Sequence, residues 1–480
     1  MTEQFSEERY ATMLDGLFHR FPSFQKVGAG AYKPGLANME FICQLMGKPC
    51  GDTRVIHVAG TNGKGSVSNM LSSVLVALGY SVGLYTSPHI LDFRERIRVL
   101  RPGNSDGEVD VELVTKEGVW DFVGRWRETF DHLDMSFFEI TTAMALDWFA
   151  SRNVDYVVFE TGLGGRLDST NVITPVLSVI TNIGLDHCDL LGDTLPEIAF
   201  EKAGIIKPAV PVVVGESNPE TDAVFERKVL YTNLPDPTFM GDRKAVMSLL
   251  TFADRSEPLL WDRHTEILES MDLRGAYQEK NLRTALAALS VLADSQPEVS
   301  DRIEAAGDQA LVRALSFTAS RTGFRGRWET LSENPRVICD IGHNEHGLKY
   351  NFAQLDRMRT EGECTHLIMV YGSVADKDVD AVLHHLPADA IYIFTQAQGK
   401  RAMTASDICG KYQSFCKETG RDEGQIYVTD TVAEAVVKAK MLVSGIVDAD
   451  GLSRPLVYIG GSTYVVSEAL DTSSLLVPER

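Results

Sequence analysis

Residues 57–70 read HVAGTNGKGSVSNM. Gly60, Gly63 and Gly65, with Lys64 and Ser66, fall within seven consecutive positions. Glycines lack a Cβ, so the amides of the turn through Gly60, Thr61, Asn62 and Gly63 can curl around an anion. Lys64 would add a cation there, and Ser66 a hydroxyl for a phosphate-bound Mg2+. The helix that follows would aim its positive end at the same place. The spacing departs from the common phosphate loop, G-x-x-x-x-G-K-[ST]. Gly65 intervenes before Ser66, and Val58 stands where the first glycine is expected. The plainer alternative is a tight strand-to-helix turn with one solvated lysine.

A magnesium nucleotide needs acidic help, and YVVFETGLGGRLDSTN, residues 156–171, offers it. An apolar strand ends in Glu160, whose carboxylate could hold Mg2+ directly or through water. Gly162, Gly164 and Gly165 then permit close backbone approach. In TNIGLDHCDLLG, residues 181–192, Asp186 and His187 again follow an apolar strand. A lone histidine is usually structural or solvated. Clustering at strand tips makes His187 a candidate metal ligand.

These residues need strands that end at one sheet edge. Short apolar runs alternate with amphipathic helical patterns, the α/β signature. The spacing predicts strands at Arg54–Val58, Ser81–Tyr85, Tyr156–Glu160, Val176–Ile180 and Val210–Val214. Val67, Met70, Leu71, Val74, Leu75 and Leu78 share one helical face, with Gly79 as its stop. Ser136 with Glu139, and Thr194 with Glu197, have capping-box spacing. Residues 220–275, rich in charge and proline, read as a peripheral insertion with some strand content. A second series is expected at Val337–Asp340, His366–Tyr371, Ile391–Thr395, Ile426–Thr429 and Leu456–Ile459. The polar stretch 316–328 is the best boundary between the two series.

At 480 residues the chain is long enough for two domains, and its 44% hydrophobic content suffices for two cores. A net charge of −21 argues against a general nucleic-acid binder. The seven cysteines form no C-x-x-C pair, as expected of a reduced compartment without structural zinc. The opening MTEQFSEERY is too polar for a secretory signal, and no apolar run approaches the ~18 residues of a membrane helix. The expectation is a cytoplasmic protein with small-molecule partners and no membrane.

GTNGKGS, YTSPHILDFRERI, FFEITTAMA, ETGLGGRLDSTN, DHCDLLGDTLPEIAFEKAGIIK and DIGHNEHG together resemble the folylpolyglutamate synthase/dihydrofolate synthase family, within the Mur ligase superfamily. The resemblance implies a doubly wound, P-loop ATPase-like domain with folate-side loops over residues 1–320. A smaller Rossmann-like glutamate-ligase domain would occupy 321–480. It implies that Gly60 to Ser66 hold ATP phosphates, that Asn281 lies near the adenine, and that Arg327 and Asp340 touch the nucleotide. Ser66 and Glu160 would ligate one Mg2+, and His187 would face a second. Lys202 matches a lysine that is carbamylated in related enzymes, and His343 a catalytic histidine. Glu345 follows Asn344 where the family usually has proline. Lys33 (in YKPGLANM), Ser87, Pro88, His89 and Ser462 match substrate-side segments.

The implied activity is ATP-dependent addition of L-glutamate to dihydropteroate, to the γ-carboxylate of (tetrahydro)folate-glutamates, or to both. It would run through an acyl phosphate in a monomeric enzyme. Rival readings are a peptidoglycan-precursor ligase, which usually carries a full domain before the loop, and a nucleotide-binding protein or NTPase without ligase activity.

Overall fold

The chain forms two compact units: Met1–Asp272 with Gln278–Phe324, and Leu273–Tyr277 with Arg325–Arg480. The computed structural model describes residues 4–21, 30, 33–49, 51, 53–105, 107–234, 242–450 and 453–472. Tyr32 and Cys50, and the 235–239 part of the proline-rich stretch, lie outside the described residues.

The first unit is built on eight strands: β1 Arg54–Ala59, β2 Val82–Tyr85, β3 Ile97–Pro102, β4 Val109–Leu113, β5 Tyr156–Glu160, β6 Leu177–Ile180, β7 Val212–Val214 and β8 Leu250–Phe252. Their order is β4-β3-β2-β5-β1-β6-β7-β8. β1 lies between β5 and β6, parallel to both, with Val58 opposite Glu160 and Ala59 opposite Ile180. The tips of these three strands therefore end together, where open α/β sheets bind ligands. β3 and β4 close one side antiparallel. The sequence pattern missed them because arginines interrupt the run IRVLRP.

Helix α1, Lys64–Ala77, follows β1. Its apolar face is buried as expected, but so are Ser68, Asn69, Ser72 and Ser73. Two of these side chains bond within the helix, Ser72 Oγ to Ser68 O (2.8 Å) and Asn69 Nδ2 to Gly65 O (2.6 Å), and Ser73 Oγ donates to Ala314 O (2.7 Å). Gly79, at φ 84°, follows the helix end. Helices α2, Phe137–Ser151, and α3, Leu195–Lys202, both start with the expected capping boxes. Helix α4 spans Gln278–Ser295.

The 220–275 region is more than a peripheral insertion. Within it, Phe225 and Val229 of a helix over Asp222–Asn233 are buried, and β8 pairs parallel with β7 as the edge of the main sheet. Three residues of strand are too short to register in a periodicity scan.

The second unit has six strands: β9 Glu329–Glu333, β10 Arg336–Asp340, β11 His366–Tyr371, β12 Ile391–Phe394, β13 Ile426–Val428 and β14 Pro455–Gly460. Their order is β13-β12-β11-β14-β10-β9, parallel throughout except for the β9 edge. Helices α5, Glu345–Thr360, and α6, Thr463–Asp471, follow β10 and β14. The segment Leu273–Tyr277 belongs to this unit. Ala276 N donates to Gln354 Oε1 (2.6 Å), and Gln354 Nε2 to Arg274 O (2.9 Å).

Candidate active site

The turn after β1 is shaped by contacts that only glycine tolerates. Gly60 has φ 149°, and a Cβ there would lie 1.8 Å from Thr181 Oγ1. Gly63 has φ 83°, and its Cβ would lie 2.2 Å from Asn281 Oδ1. The loop is tied to the tip of β6. Thr61 N donates to Asn182 O (3.0 Å), Asn62 N to Asn182 Oδ1 (2.9 Å), and Thr181 Oγ1 to Asn62 O (2.5 Å). Gly65 and Ser66 already lie in the first turn of α1. On the α4 side, Gln278 Nε2 donates to Ser66 Oγ (3.2 Å), and Asn281 Nδ2 to Gln278 Oε1 (2.9 Å). Asn281 is thus brought to the loop, against Gly63.

Lys64 Nζ donates to Gly60 O (2.9 Å) and Thr61 O (3.1 Å). Lys202, at the end of α3, is buried and donates to the same Gly60 O (3.0 Å). Burial, and then the neighbouring Lys64 charge, pull the Lys202 ammonium down to about 7, against the opposing pull of Asp186, Asp168 and Glu201.

Glu160, at the tip of β5, is buried, and its Oε2 accepts from Ser87 N (3.3 Å). The glycine loop beyond it is organised by Asp168. The Asp168 Oδ2 accepts from Gly162 N (2.9 Å) and Leu163 N (2.8 Å). This loop backs onto α3: Arg166 N donates to Glu201 O (2.8 Å), and a Cβ on Gly165 would lie 2.9 Å from Lys202 O.

Among the described residues no group of three or more His, Cys, Asp or Glu side chains gathers to hold a metal. Mg2+ needs none, because it keeps several waters and takes one or two carboxylates together with phosphates. The Glu160 carboxylate and the Ser66 hydroxyl are hard oxygen donors. The neighbouring Thr161 Oγ1 is buried without a hydrogen-bond partner. This donor set fits Mg2+ shared with a nucleotide. His187, at φ 54°, packs beside Asp186, with Nε2 3.8 Å from Asp186 Oδ2.

The residues expected on the folate side divide. Ser87 reaches Glu160 through its amide, and Pro88 is exposed. His89 Nδ1 accepts from Arg96 Nε (2.8 Å), and burial, then Arg96, push the imidazole down to about 3. It is therefore neutral. Lys33 pairs with Asp134 Oδ2 (2.6 Å), just ahead of α2.

In the second unit, the Asp340 carboxylate accepts from four donors. Oδ2 takes Trp328 N (2.8 Å) and Tyr277 OH (2.7 Å), and Oδ1 takes Gly342 N (2.7 Å) and Asn351 Nδ2 (2.7 Å). These contacts make Asp340 the organiser of the β10 tip. His343 Nδ1 lies 3.1 Å from Ile341 O. Asn344 caps α5, accepting from Gly347 N (2.8 Å). Glu345 is then the first helical residue, the place where proline is favoured and where an acidic side chain suits the helix dipole. The cap thus survives the departure from the family pattern. Arg327 Nη1 reaches Gly326 O (3.4 Å). Ser462 caps α6, accepting from Tyr464 N (3.2 Å).

Thr181, Asn182, Gln278 and Asp168 shape the site and were not singled out from sequence. Asp168 and Asn182 lie inside stretches already noted, and Gln278 sits one turn before Asn281. Thr181, Asn182 and Gln278 reach their loop partners from far along the chain, so no local pattern announces them, whereas Asp168 accepts from the nearby Gly162, Leu163 and Thr170 amides.

Residues 326–447 match the family described as Mur ligase, glutamate ligase domain. The chain is 33% identical over 451 residues, 91% of its length and 94% of the other's, to the dihydrofolate synthase/folylpolyglutamate synthase of Bacillus subtilis (strain 168). Among solved structures it is similar to Mycobacterium tuberculosis folylpolyglutamate synthase complexed with ADP, at TM-score 0.75 and 26% identity, covering 97% of this chain and 98% of that one. It is also similar to an Escherichia coli protein in complex with DHPP and ADP, at TM-score 0.72 and 25% identity, covering 97% of both chains. The similarity runs along whole lengths rather than one shared module, and the chain belongs to the folylpolyglutamate synthase/dihydrofolate synthase family.

Proposed function

We propose that the protein is an ATP-dependent ligase that joins L-glutamate to dihydropteroate, to the γ-carboxylate of (tetrahydro)folate-glutamates, or to both. The observation that carries this reading is the register of β1 against β5. Val58 lies opposite Glu160, so a buried carboxylate stands beside the loop that presents Lys64 and Ser66.

In this reading the loop amides, Lys64 and the α1 N-terminus hold the ATP phosphates. Glu160 and Ser66 hold one Mg2+, and His187 serves a second. Mg2+, when bound, screens the charge between the γ-phosphate and an incoming carboxylate. The substrate carboxylate oxygen attacks the γ-phosphorus, ADP leaves, and an acyl phosphate forms. The neutral glutamate amine attacks the acyl carbon, phosphate departs, and the amine proton is lost as the amide forms. Asn281 would contact the adenine, Ser87 to His89 and Lys33 the folate side, and Ser462 the glutamate. Arg327, Asp340 and His343 would serve the nucleotide from the residues 321–480 portion, with ATP held by residues 1–320. The depressed Lys202 supplies neutral amine near pH 7, the form that reacts with CO2, which supports a carbamate at this position. The enzyme would act as a cytoplasmic monomer on small molecules alone. Among the described residues, no helix is long and apolar enough to cross a membrane.

The test is incubation with MgATP and labelled glutamate, plus dihydropteroate or tetrahydrofolate, with product mass followed. Glutamate-dependent phosphate release with a mass gain of one glutamate is expected. Phosphate release indifferent to glutamate would mark an NTPase instead.

A further inference from the structure

His57 is an unusual residue for its place. It lies in β1 between Ile56 and Val58, fully buried, where a parallel strand covered on both faces is ordinarily aliphatic. Its Nδ1 has no hydrogen-bond partner, which costs stability. Burial, reinforced by Lys207, pushes the imidazole down to about 3, so it is neutral and carries one proton.

The position of that proton follows from its neighbours. His57 Nε2 lies 2.8 Å from Thr170 Oγ1. Thr170 Oγ1 in turn lies 2.5 Å from Asp168 Oδ1, which also accepts from Thr170 N (3.0 Å). The single Thr170 hydroxyl proton is donated to Asp168 Oδ1. Thr170 Oγ1 must then accept from His57 Nε2–H. Nδ1 is left as the bare acceptor, in agreement with its missing partner.

The relay therefore runs from β1, three residues before Gly60, to the loop beyond Glu160. That loop contains Gly162, Gly164 and Gly165, and it has little stiffness of its own. Asp168 holds its amides, and the loop backs the carbonyls of Glu201 and Lys202. We infer that His57 is a positioning residue, which through Thr170 and Asp168 sets the loop that places Glu160 for the metal–nucleotide complex. The inference rests on the metal–nucleotide reading of Glu160 but not on the identity of the acceptor.

The experiment titrates Mn2+ into protein saturated with AMPPNP, with no folate or glutamate present. His57→Leu and Thr170→Val should each weaken Mn2+ binding by roughly 10–100-fold, the usual loss when an outer partner of a metal ligand is removed. His57→Gln, whose amide can donate from nearly the same point, should recover most of the affinity. The double variant should bind no worse than the weaker single, because both break one relay. Unchanged affinity in His57→Leu, multiplying losses in the double variant, or a His57→Gln as weak as His57→Leu would each overturn the inference. If His57→Leu does not fold, Thr170→Val against Thr170→Ser makes the same comparison. Failure of the parent protein to bind Mn2+ with AMPPNP would instead remove the metal–nucleotide reading itself.

Discussion

Lys64 and Lys202 donate to one carbonyl oxygen, that of Gly60, from 2.9 and 3.0 Å. Two ammonium groups sharing an acceptor repel each other, and Lys202 is the buried one. Lys202 therefore yields its proton more readily. In the proposed reading, Lys64 is the cation for phosphates and Lys202 supplies neutral amine.

Lys64→Ala should abolish amide formation while leaving the fold intact, since its bonds to Gly60 O and Thr61 O stay within the loop. Glutamate-dependent phosphate release and a thermal melt check this together. Retained turnover would remove Lys64 from the phosphate site.

Lys202 gives a signed pH dependence. Below about pH 7 both folded and unfolded chains hold the proton, and the fold bears the cost of a buried charge. Between about 7 and 10.5 only the unfolded chain holds it, so stability rises with pH, by at most about 1.4 kcal/mol per pH unit. Relative to Lys202→Met, the wild type should gain stability in urea titrations as pH climbs through this window. A constant difference would contradict the depressed value. In the same position, Lys202→Ala should be inactive and partly rescued by short carboxylates if a carbamate is needed.

Glu160→Gln keeps the shape and removes the charge. It should raise the Mg2+ requirement by more than the roughly 10–100-fold typical of an outer partner. Ordinary Mg2+ dependence of phosphate release would exclude Glu160 as a ligand.

Gly63→Ala should strain the loop by about 1–3 kcal/mol, because φ 83° disfavours a side chain and Asn281 Oδ1 occupies the space. ATP affinity should fall by tenfold or more, at about 1.4 kcal/mol per tenfold. Adding Asn281→Ala should not restore it, because the backbone strain remains. Equilibrium binding of a labelled ATP analogue measures both.

Asp340 tests whether its role is to organise or to contact. Asp340→Ala strands Trp328 N, Gly342 N, Tyr277 OH and Asn351 Nδ2, and should cost about 2–4 kcal/mol in calorimetry. Tyr277→Phe should cost about 1.5–3 kcal/mol as one lost bond to a charged group. A variant that melts like wild type yet loses ATP binding would make Asp340 a direct nucleotide contact.

Much of this site could be read along the chain. The glycines at 60 and 63, the lysine at 64 and the carboxylate ending the apolar run at 160 stand in local patterns, because a turn, a strand tip and a helix start each select residue types within a few positions. The two capping boxes were legible for the same reason. Strand β3 and the edge strand β8 were not, since one is broken by arginines and the other spans three residues. Nor could a linear pattern place Leu273–Tyr277 with the second unit, because distant bonds such as Tyr277–Asp340, Ala276–Gln354 and Gln354–Arg274 tie it there.

The amino-acid sequence alone determined the strand–loop–helix units, their caps, and the residue types offered to a phosphate and a hard cation. Those choices depend on backbone sterics and hydrophobic period, which act over a turn or a strand. Tertiary structure alone decided that Lys202 meets Gly60 O across 142 positions and that His57 reaches Thr170 across 113. It also decided that the four bonds of Asp340 turn it inward. Parallel strand register and burial set these contacts, and both arise only when distant segments share one sheet.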